Sequence, residues 1–312
     1  MTAPIKLVSV SGGKDSDATL LLALERHPKS EVYAVTADTG NEHPLTYAHL
    51  EYLERRLDIT IHRLKADFSA QIARKAEFVR TKWPEHGVPQ EKIERALAIL
   101  KPTGNPFLDL CIWKGRFPSR KAQFCTEQLK TLPLTEYALD LIDQHGAVES
   151  WQGVRAQESP SRAKLPERED QGGGLSIYRP ILRWTADQVF AYHREKGVEP
   201  NPLYRMGMGR VGCMPCINAR KDEILEISKR FPEEFQRIAE WEKIVLDASK
   251  RDGATFFPGA NFGSDLTVVQ CVEKSNIHAI VEWAKTSRGG RQSDFLRLDE
   301  PKACQSSYGL CE

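Results

Sequence analysis

The chain has 312 residues, 40% of them hydrophobic and 28% charged, with a formal net charge of +1. That length and apolar content build a proper core and exclude wholesale disorder. No stretch reaches the roughly 18 apolar residues of a membrane helix, and the near-neutral balance by itself demands neither nucleic acid nor membrane.

The first strand is expected over "IKLVSV", Ile5 to Val10. It stops at a small, flexible Ser11-Gly12-Gly13, and a helix follows over Asp15–Arg26. "EVYAVTADTG" reads as a second strand, His43–Leu57 as a helix with Leu45, His49, Tyr52, Leu53 and Arg56 at helical spacing, and "ITIHRL" as a third strand. Strands alternating with helices of this length imply βαβ units and a parallel sheet. The pattern then changes. Helices over Ser69–Lys82 and Gln90–Leu100 precede a Pro/Gly-rich loop, "KPTGNPFLDL", so residues 68–120 read as a helical insertion. Helices over Ala122–Thr131 and Leu134–His145 lead to another strand, "AVESWQGV", and then to a polar loop from Gln157 to Gly174. "YRPILRW" reads as a strand end, and "TADQVFAYHREKG" as a helix capped by Thr185. After Cys216 the chain reads as helical to about Ser249. "LTVVQCVE" suggests a strand, "IHAIVEWAK" a helix, and the end a loop-rich tail. The expected architecture is a doubly wound, mostly parallel α/β sheet in residues 1–220, with a mainly helical region in 221–312. "MTAPIKLVSV" lacks the long apolar run of a signal peptide, so a cytoplasmic location is expected.

The turn after the first strand is the sharpest chemical signal. Two glycines permit positive φ and close approach of backbone to a ligand. Amide N–H groups there, ahead of a helix N-terminus, make an anion site. Ser11 and Ser16 add hydroxyls, Lys14 adds a point charge for phosphate oxygens, and Asp15 is expected to cap the helix or hold Mg²⁺. The spacing is too tight for a Walker A loop. "SGGKDS" resembles the PP-loop of the adenine-nucleotide α-hydrolase-like superfamily, which splits ATP between its α and β phosphates. Asp38, Thr39 and Gly40, at the carboxyl end of the second strand, belong beside this turn. They carry a further resemblance, "DTG" before a Pro and an aromatic residue, to the phosphoadenosine phosphosulfate (PAPS) reductase family.

"WQGVRAQESPSRAKLPER" sets Arg155, Glu158 and Arg162 in one loop, and arginine suits bidentate contact with oxyanions. Glu158 is expected to orient Arg155. The stretch resembles the "G-x-R-x-x-E-S…R" segment of the same family, which implies that Arg155 and Arg162 face the anionic end of a second substrate. "RPILRWTADQVFAYHREKGVEPNPLYRMGMGRVGCMPC" is similar to the segment closing the family's site.

The seven cysteines are expected to be reduced in the cytoplasm, leaving metal binding, catalysis or burial. Cys213 and Cys216 form a C-x-x-C pair, a spacing that grips one metal centre without distinguishing zinc, iron–sulfur or redox use. In adenylyl-sulfate reductases, which bind a [4Fe-4S] cluster, cysteines occupy a similar "C…K…P" segment and a later "G-C-x-x-C". That resemblance implies Cys125, Cys213 and Cys216 as ligands, with a cluster preferred to zinc. The reductases carry a Cys-Cys pair where Phe124 precedes Cys125 here, so a fourth ligand must come from elsewhere. Cys111 is the first choice and Cys304 or Cys311 the rival; Cys271, in an apolar run, reads as a buried small residue. Lys114, Arg116, Arg120 and Lys121 gather near Cys125, and Arg205, Arg210, Arg220 and Lys221 near the C-x-x-C pair. They suit an anionic substrate or a nucleic-acid backbone. Trp113, Phe117 and Phe124 interleave with the first group, compatible with base stacking or with core packing.

Three functions follow from the resemblance. One is ATP-driven activation with release of pyrophosphate, and sulfur transfer from a donor protein to an acceptor such as nucleic acid, the logic of tRNA thiolases and DNA phosphorothioation enzymes. An intact Lys14 loop favours it, because a triphosphate needs that charge. The absence of the reductases' "E-C-G-L-H" string points the same way. The second is reduction of adenylyl sulfate or PAPS to sulfite, with electrons from a donor. The third is a non-catalytic nucleotide- or cluster-binding regulator.

Overall fold

The computed structural model describes residues 3–251, 253–257 and 266–287. The chain divides into two compact units, each assembled from separated segments. One comprises the described residues up to Lys65 together with Thr126–Met214; the other comprises Ala66–Cys125 and the described residues from Pro215 onward. The segment expected as an insertion and the C-terminal helices thus share one unit.

The first unit is a six-stranded sheet in the order β3-β2-β1-β4-β6-β5. Its strands are β1 (Ile5–Ser9), β2 (Val32–Ala37), β3 (Ile61–Leu64), β4 (Val148–Trp151), β5 (Arg168–Gly172) and β6 (Leu175–Tyr178). All neighbours pair in parallel except β5 with β6. The expected mostly parallel doubly wound sheet is therefore present. Every residue of β1 is buried, as a central strand covered on both faces requires. On one face Leu7, Val35 and Val148 pack with Leu134, Ala138 and Leu141 of α7 (Leu132–His145). On the other, Val8, Val10 and Ala34 meet Leu20 and Leu21 of α1 (Lys14–Arg26), Leu50 and Leu53 of α2 (Pro44–Leu57), and Val189 of α9 (Ala186–Glu195). Each such Val or Leu side chain contributes about 1.5–3 kcal/mol by leaving water. Thr185 caps α9 as expected, accepting from the Gln188 N–H.

The polar loop from Gln157 to Gly174 holds more order than the sequence suggests. A four-residue helix α8 (Pro160–Ala163) is followed by β5, which turns back through glycines onto β6. Helix α6 (Phe124–Thr126) opens into a wide π turn over Glu127–Thr131 before α7. Arg179 ties the β5–β6 ribbon, donating to Pro166 O and Glu169 Oε2 at 2.7 and 3.0 Å.

The second unit is helical: α3 (Ser69–Glu85), α4 (Gln90–Ile99), α5 (Pro106–Lys114), α11 (Lys221–Arg230), α12 (Pro232–Ala248), α13 (Val268–Ser275) and α14 (Ile277–Ala284); α10 (Pro202–Arg205) belongs to the first unit. Two expectations are corrected here. The "NPFLDLCIWK" stretch is a helix, not a loop. Asn105 caps it by accepting from Leu108 N–H, Pro106 takes the first turn, and Gly115 ends it at φ 62°. "LTVVQCVE" is also a helix, α13, because Thr267 and Gln270 form a reciprocal capping box that outweighs the strand preference of adjacent valines. The core of this unit stacks Phe107 on Trp241 at 5.7 Å and sets Phe117 and Phe256 edge to face. Buried Glu242 accepts the N–H groups of Phe256 and Ile277 at 2.8 and 3.0 Å, and burial pushes its carboxyl pKa up. The tail cysteines Cys304 and Cys311 lie outside the described residues. No described helix is long and apolar enough to cross a membrane.

Candidate functional site

In the sheet order, β1 lies between β2 and β4, so the crossovers leave β1 in opposite directions. Open α/β sheets bind ligands at the carboxyl ends of such strands. The loop after β1, Ser11–Ser16, and the loop after β4, Gln152–Arg162, meet at that point.

Within the first loop only Gly12 needs glycine's freedom. It sits at φ 75°, and a Cβ on it would come within 3.0 Å of the Thr46 methyl. Gly13 is extended, at φ −92°, and serves as the residue ahead of α1. The expectation of positive φ at both glycines therefore holds for one. The Ser11 N–H donates to Ser16 Oγ at 3.1 Å, and that hydroxyl lies 2.9 Å from Gly13 O. The hydroxyls thus brace the turn.

Lys14 and Asp15 begin α1 and are both buried. Asp15 does not cap the helix, since no side chain does so. Its Oδ1 accepts from Arg155 Nε at 2.6 Å, and its Oδ2 is 3.1 Å from Lys14 Nζ. Both oxygens therefore face cations. Glu158 accepts the Arg155 backbone N–H at 2.8 Å and pairs with the Arg162 guanidinium, while the Arg155 guanidinium donates to Asp15. Arg162 is itself buried.

Four residues that shape the loop are not assigned roles in the sequence reading. Gly153 comes so close to α1 that a Cβ would lie 2.8 Å from Asp15 C, Asp15 O and Ser16 N. Buried Asn201 donates from Nδ2 to Gly12 O at 3.0 Å while its Oδ1 accepts from Leu203 N–H. The Lys14 N–H donates to the Tyr204 hydroxyl at 3.0 Å. His193 donates from Nε2 to Lys14 O at 2.8 Å. Asn201 and Tyr204 lie in the quoted "NPLY", which gave a signal; His193 gave none. Substituting His193→Ala removes a buried donor to the first turn of α1, so stability is expected to fall by about 1–3 kcal/mol. His193→Gln, whose amide can donate, is expected to recover most of it; urea unfolding of both variants checks this.

The second-strand loop forms a tight acidic knot. Asp38 Oδ1 accepts from Gly40 N–H at 3.1 Å and lies 2.8 Å from the Tyr47 hydroxyl, while Oδ2 is 3.1 Å from Lys65 Nζ. Glu42 accepts from Thr39 N–H and Oγ1 and lies 3.0 Å from the same Tyr47 hydroxyl. Burial, then these carboxylates, push the Tyr47 phenol well above its ordinary pKa, so it stays a donor. Gly40 adopts φ 75°. A recess of about 420 Å³, part of it open to solvent, is lined by Ser11, Thr36, Asp38, Tyr47, Arg63 and Lys130 among others.

Cys213 is stitched to this knot. It bridges Glu42 in antiparallel fashion and its thiol is 3.6 Å from Thr39 Oγ1. In the second unit, Cys216 Sγ accepts from Asn218 N–H at 3.4 Å. Cys111 is fully buried, and burial, with Cys125 nearby, pushes its thiol pKa up. Among the described residues no three His, Cys, Asp or Glu side chains gather as a metal-holding group. No step below passes through a metal.

The family model described as the phosphoadenosine phosphosulfate reductase domain matches residues 6–219. The chain is 49% identical to the "Uncharacterized 37.8 kDa protein in gpa 5'region" of Escherichia phage 186, over 99% of this chain and 97% of that one. It is 41% identical to the adenosine 5'-phosphosulfate reductase of Allochromatium vinosum, over 22% of this chain and 27% of that enzyme. A crystal structure of phosphoadenylyl-sulfate reductase from Candida auris matches with a TM-score of 0.43 at 18% identity, covering 69% of this chain and 84% of that one.

Proposed function

Because the chain belongs to the phosphoadenosine phosphosulfate reductase domain family, we propose that the Ser11–Ser16 loop holds the phosphates of an adenine nucleotide, and that the nucleotide is ATP. The observation that carries this reading is Lys14, fixed at the switch point by Asp15, Tyr204 and His193. A buried, oriented cation is most useful where charge develops on a leaving group. In this reading an oxygen of the acceptor attacks the α-phosphorus. The new P–O bond forms as the bond to the bridging oxygen breaks, and the electron pair leaves with pyrophosphate. Amides of Gly12, Gly13 and Lys14, with the hydroxyls of Ser11 and Ser16, hold the phosphates. Thr39, Gly40 and Asp38 wall the adenosine side through the Tyr47 knot. Arg155 acts on Lys14 through Asp15, and Arg162 faces the anionic acceptor. The acceptor is nucleic acid, and the sulfur comes from a donor protein. Mg²⁺ would arrive on the ATP phosphates, where it offsets their charge.

A second reading, reduction of adenylyl sulfate or PAPS to sulfite, is favoured by the identity to the reductase of Allochromatium vinosum. A non-catalytic regulator is the third. Pyrophosphate release from ATP, measured beside sulfite release from the two sulfonucleotides, separates them. Pyrophosphate supports activation, sulfite supports reduction, and neither product leaves a binding role.

Iron content is a separate matter. The spacing of Cys213 and Cys216, with Cys125 and a fourth thiol at Cys111 or in the tail, supports a [4Fe-4S] cluster, with zinc the alternative. Protein purified without oxygen is expected to carry iron that Cys216→Ser loses. Full iron in that variant would remove Cys216 from the ligand set, and an iron-free parent would remove the cluster.

A further inference from the structure

Residues 113–124 contain Lys114, Arg116, Arg120 and Lys121 and no acidic residue. Among the described residues none of these four pairs with a carboxylate; Arg120 spends one N–H on Ala219 O at 3.3 Å. The backbone presents them deliberately. Gly115 reverses the chain at the end of α5, at φ 62°. Ser119 and Ala122 then exchange two backbone hydrogen bonds, 3.1 and 3.0 Å, and close a two-residue turn with Arg120 and Lys121 at its tip. Arg116, Arg120 and Lys121 are exposed.

The aromatic residues divide into two roles. Phe117 turns inward and packs on Phe256 at 5.4 Å, so it is core and not a platform. Trp113 and Phe124 stay half-buried and brace the cations. Lys114 Nζ sits 3.7 Å from the Trp113 ring centre, and the Arg116 guanidinium 5.5 Å from that of Phe124. One face of Trp113 rests on Phe68, at 5.7 Å, and the ammonium covers the ring from above.

Four cations on one short segment, none of them paired with a carboxylate among the described residues, repel one another and raise a local positive field. Spread along a loop, they meet a row of phosphates better than a single one. Half-exposed rings among them are what a single strand uses for its bases. We infer that the 113–124 segment is a docking surface for single-stranded nucleic acid. The inference deepens the nucleic-acid acceptor reading above and rests on it. A base that displaced Lys114 from Trp113 would stack on the ring and release the ammonium to a neighbouring phosphate.

Fluorescence anisotropy with a labelled 20-nucleotide single strand, titrated across salt, tests this. Neutralising four phosphates predicts a log–log salt slope of about −3 for the parent. The double variant Arg120→Ala/Lys121→Ala is expected to flatten that slope by about 1.4 and to bind about tenfold or more weakly at low salt. Its ATP uptake by calorimetry is expected to match the parent's. Equal strand affinity and slope in parent and variant would overturn the surface, as would tighter binding of a duplex of the same sequence. If the parent took up strand but no ATP, the nucleotide reading would fall while the surface stood.

Discussion

Lys14→Ala is expected to cut pyrophosphate release from ATP by about 10²–10³-fold, the range seen when one preorganised donor to developing charge is removed. Its melting temperature is expected to move by only about a few degrees. The separation arises from the geometry: without Lys14, Asp15 still faces Arg155 at 2.6 Å, so no buried charge is abandoned. The Gly12 and Gly13 backbone also keeps its own supports in Asn201 and Ser16. Steady-state turnover and a thermal melt on the same preparation check both halves. Parental turnover in this variant would overturn the placement of Lys14 at the reacting phosphate.

Asp15→Asn behaves in the opposite sense. The carboxylate is fully buried between two cations, and removing its charge takes that anion from both. Breaking a buried pair on one side costs about 3–5 kcal/mol, which for a chain of this size corresponds to a loss of about 10 °C in melting temperature. The loss is expected in Mg²⁺-free buffer. Were the carboxylate held in reserve for Mg²⁺, the variant would instead melt like the parent without the metal and differ only in activity with it. A second substitution, Lys14→Met in the Asp15→Asn background, is expected to recover part of the loss, because the two residues are in contact and their effects do not add.

The parallel sheet was legible because its strands announce themselves. Ile5–Val10 is almost wholly apolar and is cut off by Ser-Gly-Gly, as a strand buried on both faces should be. Helix α5 was not legible by periodicity: Pro106 through Ile112 are all buried, and a helix covered all round shows no polar stripe. Its ends carried the only signal, Asn105-Pro106 and Gly115. Helix α13 was misread because Val268 and Val269 favour strands locally while the capping box does not depend on them. The Ser11–Ser16 loop is legible as six consecutive residues. Asn201 falls within the "NPLY" string and Gly153 within "G-x-R", but the contacts they make with the loop are not legible, and His193 looks like an ordinary helix position until the fold brings it to α1. The pairing of Asp15 with Arg155 is hidden for the same reason.

Those supports come from far along the chain. Asn201 reaches back 189 residues to Gly12, and Tyr204 is 190 residues from Lys14. Bringing such distant segments together carries an entropic cost that must be met before the contacts exist, which slows folding. During synthesis β1 and α1 precede these supports by most of the first unit, so a chain halted near residue 190 would hold the glycine turn without Asn201 and Tyr204 to brace it. On the proposed function, nucleotide capture would therefore follow completion of the first unit's sheet.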